Sequence, residues 1–122
     1  FRGKIDVTLL NAPKEPTIAN INDWKTGNSK YEDPFELATN AVMLHARYPT
    51  LKQITGQYAW LKDSRMSRMY DLSDTRTTWG EINQIMQNIE ADRASGKWEK
   101  RETPLCGWCE CLDCEFNRKK RS

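Results

Sequence analysis

The chain has 122 residues, enough for one domain with a single core, and its formal net charge of +2 is too small by itself to argue for a nucleic-acid partner. No stretch approaches the roughly 18 consecutive apolar residues of a membrane span, and no apolar signal segment opens the chain. The four cysteines fall within the nine residues Cys106 to Cys114, where a disulfide scaffold would spread them to staple distant loops. That spacing points to a reducing compartment and a bound metal or cluster.

The first apolar run, Lys4 to Leu10, is β-branched and bounded by Gly3 and by Asn11-Ala12-Pro13, which predicts a strand followed by a turn. The chain opens at Phe1 rather than at a methionine, inside what looks like a strand, so further residues are expected upstream. Thr17 to Lys25 reads as a second strand, inner in the sheet, closed by Thr26-Gly27-Asn28-Ser29. Asp33 as N-cap and Pro34 at the first helical position predict a helix to about Arg47, where Tyr48-Pro49 stops it. Its expected buried stripe is Ala38, Ala41, Val42 and His45, flanked by Leu37 and Leu44. The single histidine, His45, reads as a packed or surface side chain.

Gln53 to Leu61 alternates with Ile54, Tyr58 and Trp60 on one face and predicts a third strand. A turn at Lys62-Asp63-Ser64 then leads into a fourth, Arg65 to Leu72, with Arg65 and Arg68 near the turn. Thr78-x-x-Glu81 has the form of a capping box, and Trp79, Ile82, Ile85, Met86 and Ile89 form the expected inner face of a second helix ending before Gly96. Trp60, Trp79 and Trp98 are assigned to the core or its margin. The order strand, strand, helix, strand, strand, helix, loop predicts an α+β domain with a mixed central sheet flanked by helices. Residues 1–103 form this core, 104–117 a cysteine-rich loop and 118–122 a basic tail, Arg118-Lys119-Lys120-Arg121-Ser122. Such a tail is either solvated or set to meet phosphates.

Asp6, Asp23 and Lys25 carry the chemistry. In a hairpin of the first two strands Asp6 and Asp23 come side by side, and strand geometry puts residues 23 and 25 on one face, about 7 Å apart at the backbone. Two carboxylates and a backbone carbonyl, that of Trp24, suffice for a cation that keeps several waters, and a lysine can steady an attacking hydroxide. This is the equipment of a metal-dependent phosphodiesterase. A simple ion pair between Asp23 and Lys25, with Asp6 solvated, is the alternative reading of the same residues.

Cys106-x-x-Cys109-x-Cys111-x-x-Cys114 offers thiolates to Zn²⁺ or to an iron–sulfur cluster, or stays reduced. The span is tight for one tetrahedral site, so Cys106, Cys109 and Cys114 are the preferred ligands and Cys111 the spare. Trp108, between two cysteines, either covers such a site or stacks on a base.

Asp6 on one strand and Asp23-Trp24-Lys25-Thr26-Gly27 on the next, together with the cysteine run, resemble the PD-(D/E)XK nuclease superfamily in its RecB-like and phage-type exonuclease branch. The resemblance implies a restriction-endonuclease-like core, Mg²⁺ or Mn²⁺ held by Asp6 and Asp23, and Lys25 as the catalytic lysine. It implies a DNA nuclease, more an exonuclease than an endonuclease, acting in phage or bacterial recombination, repair or replication. DNA and a recombination or replication protein are the partners it implies, in the bacterial cytoplasm. Glu36 and Asn40 stand where the branch carries the glutamine and tyrosine of a Gln-x-x-x-Tyr motif that helps hold DNA. The branch also has an acidic helix upstream, and often a 4Fe–4S cluster whose fourth cysteine lies upstream too; both would precede Phe1. A nuclease-like module that grips DNA or a protein without cutting is the second expectation.

Overall fold

The computed structural model describes residues 2–118; the expected tail residues Lys119, Lys120, Arg121 and Ser122 lie outside them. The chain forms two compact units, Phe1–Met86 and Gln87–Ser122. The first unit holds a mixed, open five-stranded sheet built from β1 (Val7–Leu10), β2 (Ile18–Lys25), β3 (Gln53–Trp60), β4 (Arg65–Met66) and β5 (Tyr70–Asp71). Helix α1 (Pro34–Arg47) joins β2 to β3, and α2 (Thr75–Ser95) follows β5. The expected α+β class with a mixed sheet is what the chain adopts.

β1 and β2 form the antiparallel hairpin, in register Val7 with Asn22 through Leu10 with Ala19. Asn11 organises its turn: the side-chain carbonyl accepts from the Thr17 and Ile18 N–H groups, and its amide donates to the Thr17 hydroxyl. The first strand is shorter than expected and leaves Asp6 one residue outside it. β2 is inner, paired in parallel with β3 along its whole length, from Ile18 with Gln53 to Lys25 with Trp60. A parallel pair needs a long crossover, and α1 supplies it.

α1 begins and ends where the sequence places it. The Asp33 carboxylate accepts from the Phe35 N–H and Pro34 takes the first turn. The buried stripe differs from the expected one: Leu37, Asn40, Ala41 and Leu44 face the sheet, while Ala38, Val42 and His45 are only half-buried. The helix is rotated by about one position because Leu37 and Leu44 fill the core beside Ile21, Ile54, Tyr58 and Leu72. The Tyr58 hydroxyl, under that helix, donates to the Asp33 carbonyl at 2.6 Å and fixes the start of α1 over β3.

The single expected fourth strand is broken into β4 and β5, both antiparallel to β3. Ala59 pairs with Met66 but Thr55 pairs with Asp71, so the outer strand carries one residue more than its partner between these points, as in a β-bulge. Ser67 sits at the break. Its N–H donates to the Tyr58 carbonyl, and its hydroxyl, standing in for a backbone carbonyl, accepts from the Tyr58 N–H at 2.9 Å. The hydroxyl passes its own proton to the Arg68 carbonyl. Arg65 and Arg68 are engaged locally, the first 4.0 Å from Glu32 and the second over the Tyr70 ring.

α2 starts three residues before the expected capping box, because Asp74 caps it through the Thr77 N–H and Thr78 falls inside the helix. Gly96 ends it with φ +68, a left-handed conformation that glycine adopts without a Cβ clash. The expected inner face is largely exposed: Ile82 is buried, but Trp79, Ile85 and Ile89 are not. Trp60 is in the core as expected, whereas Trp98 is exposed. The second unit contains the end of α2, a short 3-10 turn (Pro104–Gly107) and the cysteine loop.

Ser67→Ala is expected to cost about 1–3 kcal/mol, since it leaves the buried Tyr58 N–H without an acceptor. Ser64→Ala, at the exposed turn, serves as the reference. Chemical denaturation of both variants checks this, and equal midpoints would show that the hydroxyl does not carry the broken ladder.

Candidate functional site

Strand alternation puts Ala19, Ile21, Asp23 and Lys25 on the α1 face of the sheet, with the apolar members of the row buried first and the charged ones at the carboxyl end of β2. Asp23 is 6 % exposed. Burying a carboxylate is unfavourable without a partner, and Lys25 provides one, with Nζ 2.9 Å from Asp23 Oδ2. The ammonium lies off the direction of a good hydrogen bond, so Asp23 Oδ2 has an ionic neighbour but no hydrogen bond.

Lys25 also reaches α1. Its Nζ donates to Glu36 Oε2 at 2.7 Å, and it stands 5.4 Å from the centre of the Tyr58 ring, within range of a cation–π attraction. Tyr58 is the parallel-register partner of Asp23. Burial alone would lower the Lys25 pKa, but the hydrogen bond to Glu36 and the negative charges of Asp23 and Glu36 outweigh it and raise the value above the ordinary 10.5. Burial, then the charge of Glu36, raises the Tyr58 pKa as well. Both groups therefore hold their protons at neutral pH.

Asp6 meets this group through the backbone of β2. Continuing the register of β1 and β2 sets it opposite Asp23, but its Oδ2 accepts from the Trp24 N–H at 3.1 Å. Leu61 N–H donates to the Lys25 carbonyl, so the Lys25 backbone faces β3 and the Trp24 backbone faces the β1 side, where Asp6 extends the ladder. The Trp24 side chain is on the opposite face of the sheet and half exposed. Asn40, one turn along α1 from Glu36, is buried near Gly3, its Oδ1 within 3.9 Å of where a Gly3 Cβ would stand. The structure thus joins Asp23, Lys25 and Glu36 directly and attaches Asp6 through the backbone, with Asn40 beside the group rather than in it.

Glu32 is a residue that sequence reasoning missed. One of its oxygens accepts from Trp60 Nε1 at 2.7 Å and the other from the Tyr70 hydroxyl. It ties the segment before α1 to β3 and β5 and thereby fixes the position of Glu36. The partners lie 28 and 38 residues away, so no local signal marks it.

Among the described residues, no three His, Cys, Asp or Glu side chains stand together closely enough to hold a metal ion, the four cysteines included. For the carboxylate site this leaves two hard oxygen donors, Asp23 and Asp6, with the Trp24 backbone. Their oxygens are engaged as they stand, Asp23 Oδ2 buried without a hydrogen bond 2.9 Å from the Lys25 ammonium and Asp6 Oδ2 on the Trp24 N–H. The thiols do not form a ready cage. Cys106 Sγ accepts from the Thr103 N–H and Cys109 Sγ from the Cys111 N–H, while the Asn117 amide donates to the carbonyls of Cys109 and Cys111 and shapes the loop. Comparison with protein-family models, with curated proteins and with solved structures finds no match. No helix among the described residues is long and apolar enough to cross a membrane.

The raised Lys25 pKa sets a pH dependence. A proton bound more tightly in the folded chain stabilises it. That contribution is complete below the unfolded value of 10.5 and is lost as pH rises through the higher folded value. NMR titration of Lys25 Nζ is expected to show it still protonated at the midpoint of exposed lysines, with Glu36→Gln moving its midpoint down. A midpoint at or below that of exposed lysines would remove the clamp from this account.

Proposed function

We propose that the chain is a divalent-metal-dependent DNA nuclease built on a restriction-endonuclease-like core, with Asp23 and Lys25 at its centre. The observation that carries this reading is the pairing of buried Asp23 with half-buried Lys25 at the carboxyl end of an inner strand, with Asp6 opposite in register and Glu36 above. A Mg²⁺ or Mn²⁺ ion bound there would neutralise charge on the phosphate and lower the pKa of a water molecule.

The side chains would divide the work as follows. Asp23 and Asp6 offer oxygen atoms to the cation, and the Trp24 carbonyl is the backbone donor between them. Lys25, charged at neutral pH, stabilises the negative charge that builds on the nucleophile and on the phosphorus oxygens. It does not remove a proton. Glu36 aims the ammonium, and an arriving phosphate competes with Glu36 for it. The cysteine loop has a structural role in this reading, holding Zn²⁺ or a 4Fe–4S cluster only after its thiols draw together. Exonuclease action in phage or bacterial recombination, repair or replication, in the bacterial cytoplasm and beside a recombination or replication protein, follows from the same resemblance.

One observation favours a second reading. Lys25 is already neutralised by two carboxylates, Asp23 and Glu36, which suits a nuclease-like module that grips DNA or a protein without cutting it.

Degradation of labelled DNA in the presence and absence of Mg²⁺ separates the two. Cleavage is expected with the metal, and Lys25→Ala is expected to reduce it by about 10²–10³-fold with an unchanged circular dichroism spectrum. Full activity of Lys25→Ala and Asp23→Asn would dismiss the assignment.

A further inference from the structure

On the face of the sheet away from α1, the row of side chains at the carboxyl end of β2 and β3 has no part in the proposed chemistry. Trp24 of β2 stands in register with Ala59 of β3, and Ala59 with Met66 of β4. An indole, a methyl group and a thioether therefore lie side by side across three strands. The small residue in the middle floors a pocket of about 260 Å³ between the two large ones, with Leu61, Ser64 and Arg65 of the following turn along its end. Trp24 is 52 % exposed, and Met66 is exposed as well.

The neighbouring rows are polar and already ordered. Gln57 donates to Asn22 at 2.9 Å, Asn22 to Asn20 at 2.7 Å and Asn20 to Thr55 at 3.0 Å. Donation starts at the Gln57 amide, in the row next to Trp24, so a side-chain carbonyl is the acceptor at that end of the chain. The turn beyond the pocket carries Lys62 and Arg65, and the Asp63 carboxyl between them is turned to Ser29. Arg65 is half exposed with Glu32 4.0 Å away, and the Asp6 carboxylate is on the Trp24 N–H at the β1 side. An exposed indole with an amide edge on one side and cationic side chains on the other complements a flat ring that has hydrogen-bonding groups at its rim and a negative charge on its tail.

We propose that this pocket holds one unpaired base of single-stranded DNA, stacked on Trp24, with the adjoining phosphate on Arg65. The choice of a polynucleotide rests on the nuclease reading of Asp23 and Lys25, and it names single strands as the form held beside them. Trp24 is the residue between those two, so its backbone belongs to the charged site and its indole to the opposite face. A strand with one phosphate at Lys25 crosses the carboxyl end of β2, and a neighbouring nucleotide then meets the indole. A duplex keeps its bases stacked on one another and cannot turn a free face to it. Unpaired bases can, and stacking of this kind tolerates any sequence.

The test is fluorescence anisotropy of a short labelled oligothymidylate with the whole chain, in chelator so that no cleavage intervenes. A duplex of the same length and an acidic, aromatic-rich peptide serve as competitors. Trp24→Leu, which keeps an apolar side chain on the strand, is expected to weaken binding about 5- to 150-fold, the worth of one stacked base, and Trp24→Phe to keep most of it. Arg65→Gln is expected to reduce the slope of log affinity against log salt by about 0.7, the share of one phosphate on a single strand. Trp98→Leu and Arg93→Gln, which remove an exposed indole and an exposed charge elsewhere, are expected to change neither affinity nor slope.

Unchanged affinity in Trp24→Leu overturns the proposal, as does an equal loss in Trp98→Leu or tighter binding of the duplex or of the peptide. Cleavage assays keep the two readings apart. Metal-dependent cleavage that Lys25→Ala abolishes, with binding indifferent to Trp24, would sink the pocket and leave the nuclease. Binding that follows Trp24 and Arg65 in a chain that never cuts DNA would do the reverse.

Discussion

Lys25 links two parts of the fold that the chain brings together from different directions. Its ammonium touches Asp23 two residues before it on β2 and Glu36 on the first turn of α1, while its positive charge lies near the Tyr58 ring of β3. Three elements therefore meet at one charge. The arrangement is also the reason a carboxylate can be buried at the end of an inner strand, where an unpaired one would shift its protonation or force the strand apart. The pair is formed by neighbours in the strand, so it needs no long loop to close before it can form. Glu36 is held less directly, through the Asp33 cap, the Tyr58 hydrogen bond to the Asp33 carbonyl, and Glu32 on Trp60 and Tyr70.

With its pKa raised by Glu36 and Asp23, the Lys25 ammonium keeps its proton at neutral pH. Asp23 retains a buried oxygen without a hydrogen bond, with the Lys25 ammonium 2.9 Å away as its ionic neighbour. Asp6 is spent on the Trp24 N–H, so it closes the sheet edge and remains beside the site. The same helix also walls a groove: Glu36 and Met43 share α1, and the segment around Gly3 runs from that wall back to Asp6. One helix thus carries a contact to the charged cluster at its start and the wall of an apolar trough two turns later.

The broken outer strand shows how a local exception is accommodated. An extra residue opposite β3 would leave the Tyr58 N–H without a ladder partner, and the Ser67 hydroxyl supplies one. The break matters because Tyr58 is under α1 and beside Lys25. Its position depends on a side chain that periodicity alone assigns to an ordinary strand.

Much of the fold was legible in the sequence. The alternation of residues 18–25 and 53–60, the Asp33-Pro34 start and Tyr48-Pro49 stop of α1, and the glycine after α2 all act through neighbours a few residues away, and the structure keeps each of them. The same-face placement of Asp23 and Lys25 follows from strand geometry for a similar reason. Tertiary structure decided what depends on partners far along the chain. It turned α1 so that Leu37, Asn40, Ala41 and Leu44 face the sheet, left Trp79, Ile85 and Ile89 exposed, and gave Glu36 to Lys25 and Glu32 to Trp60 and Tyr70. Local backbone preference is written in adjacent residues, whereas the rotation of a helix and the partner of a charge are fixed only when distant surfaces compete for the same buried volume.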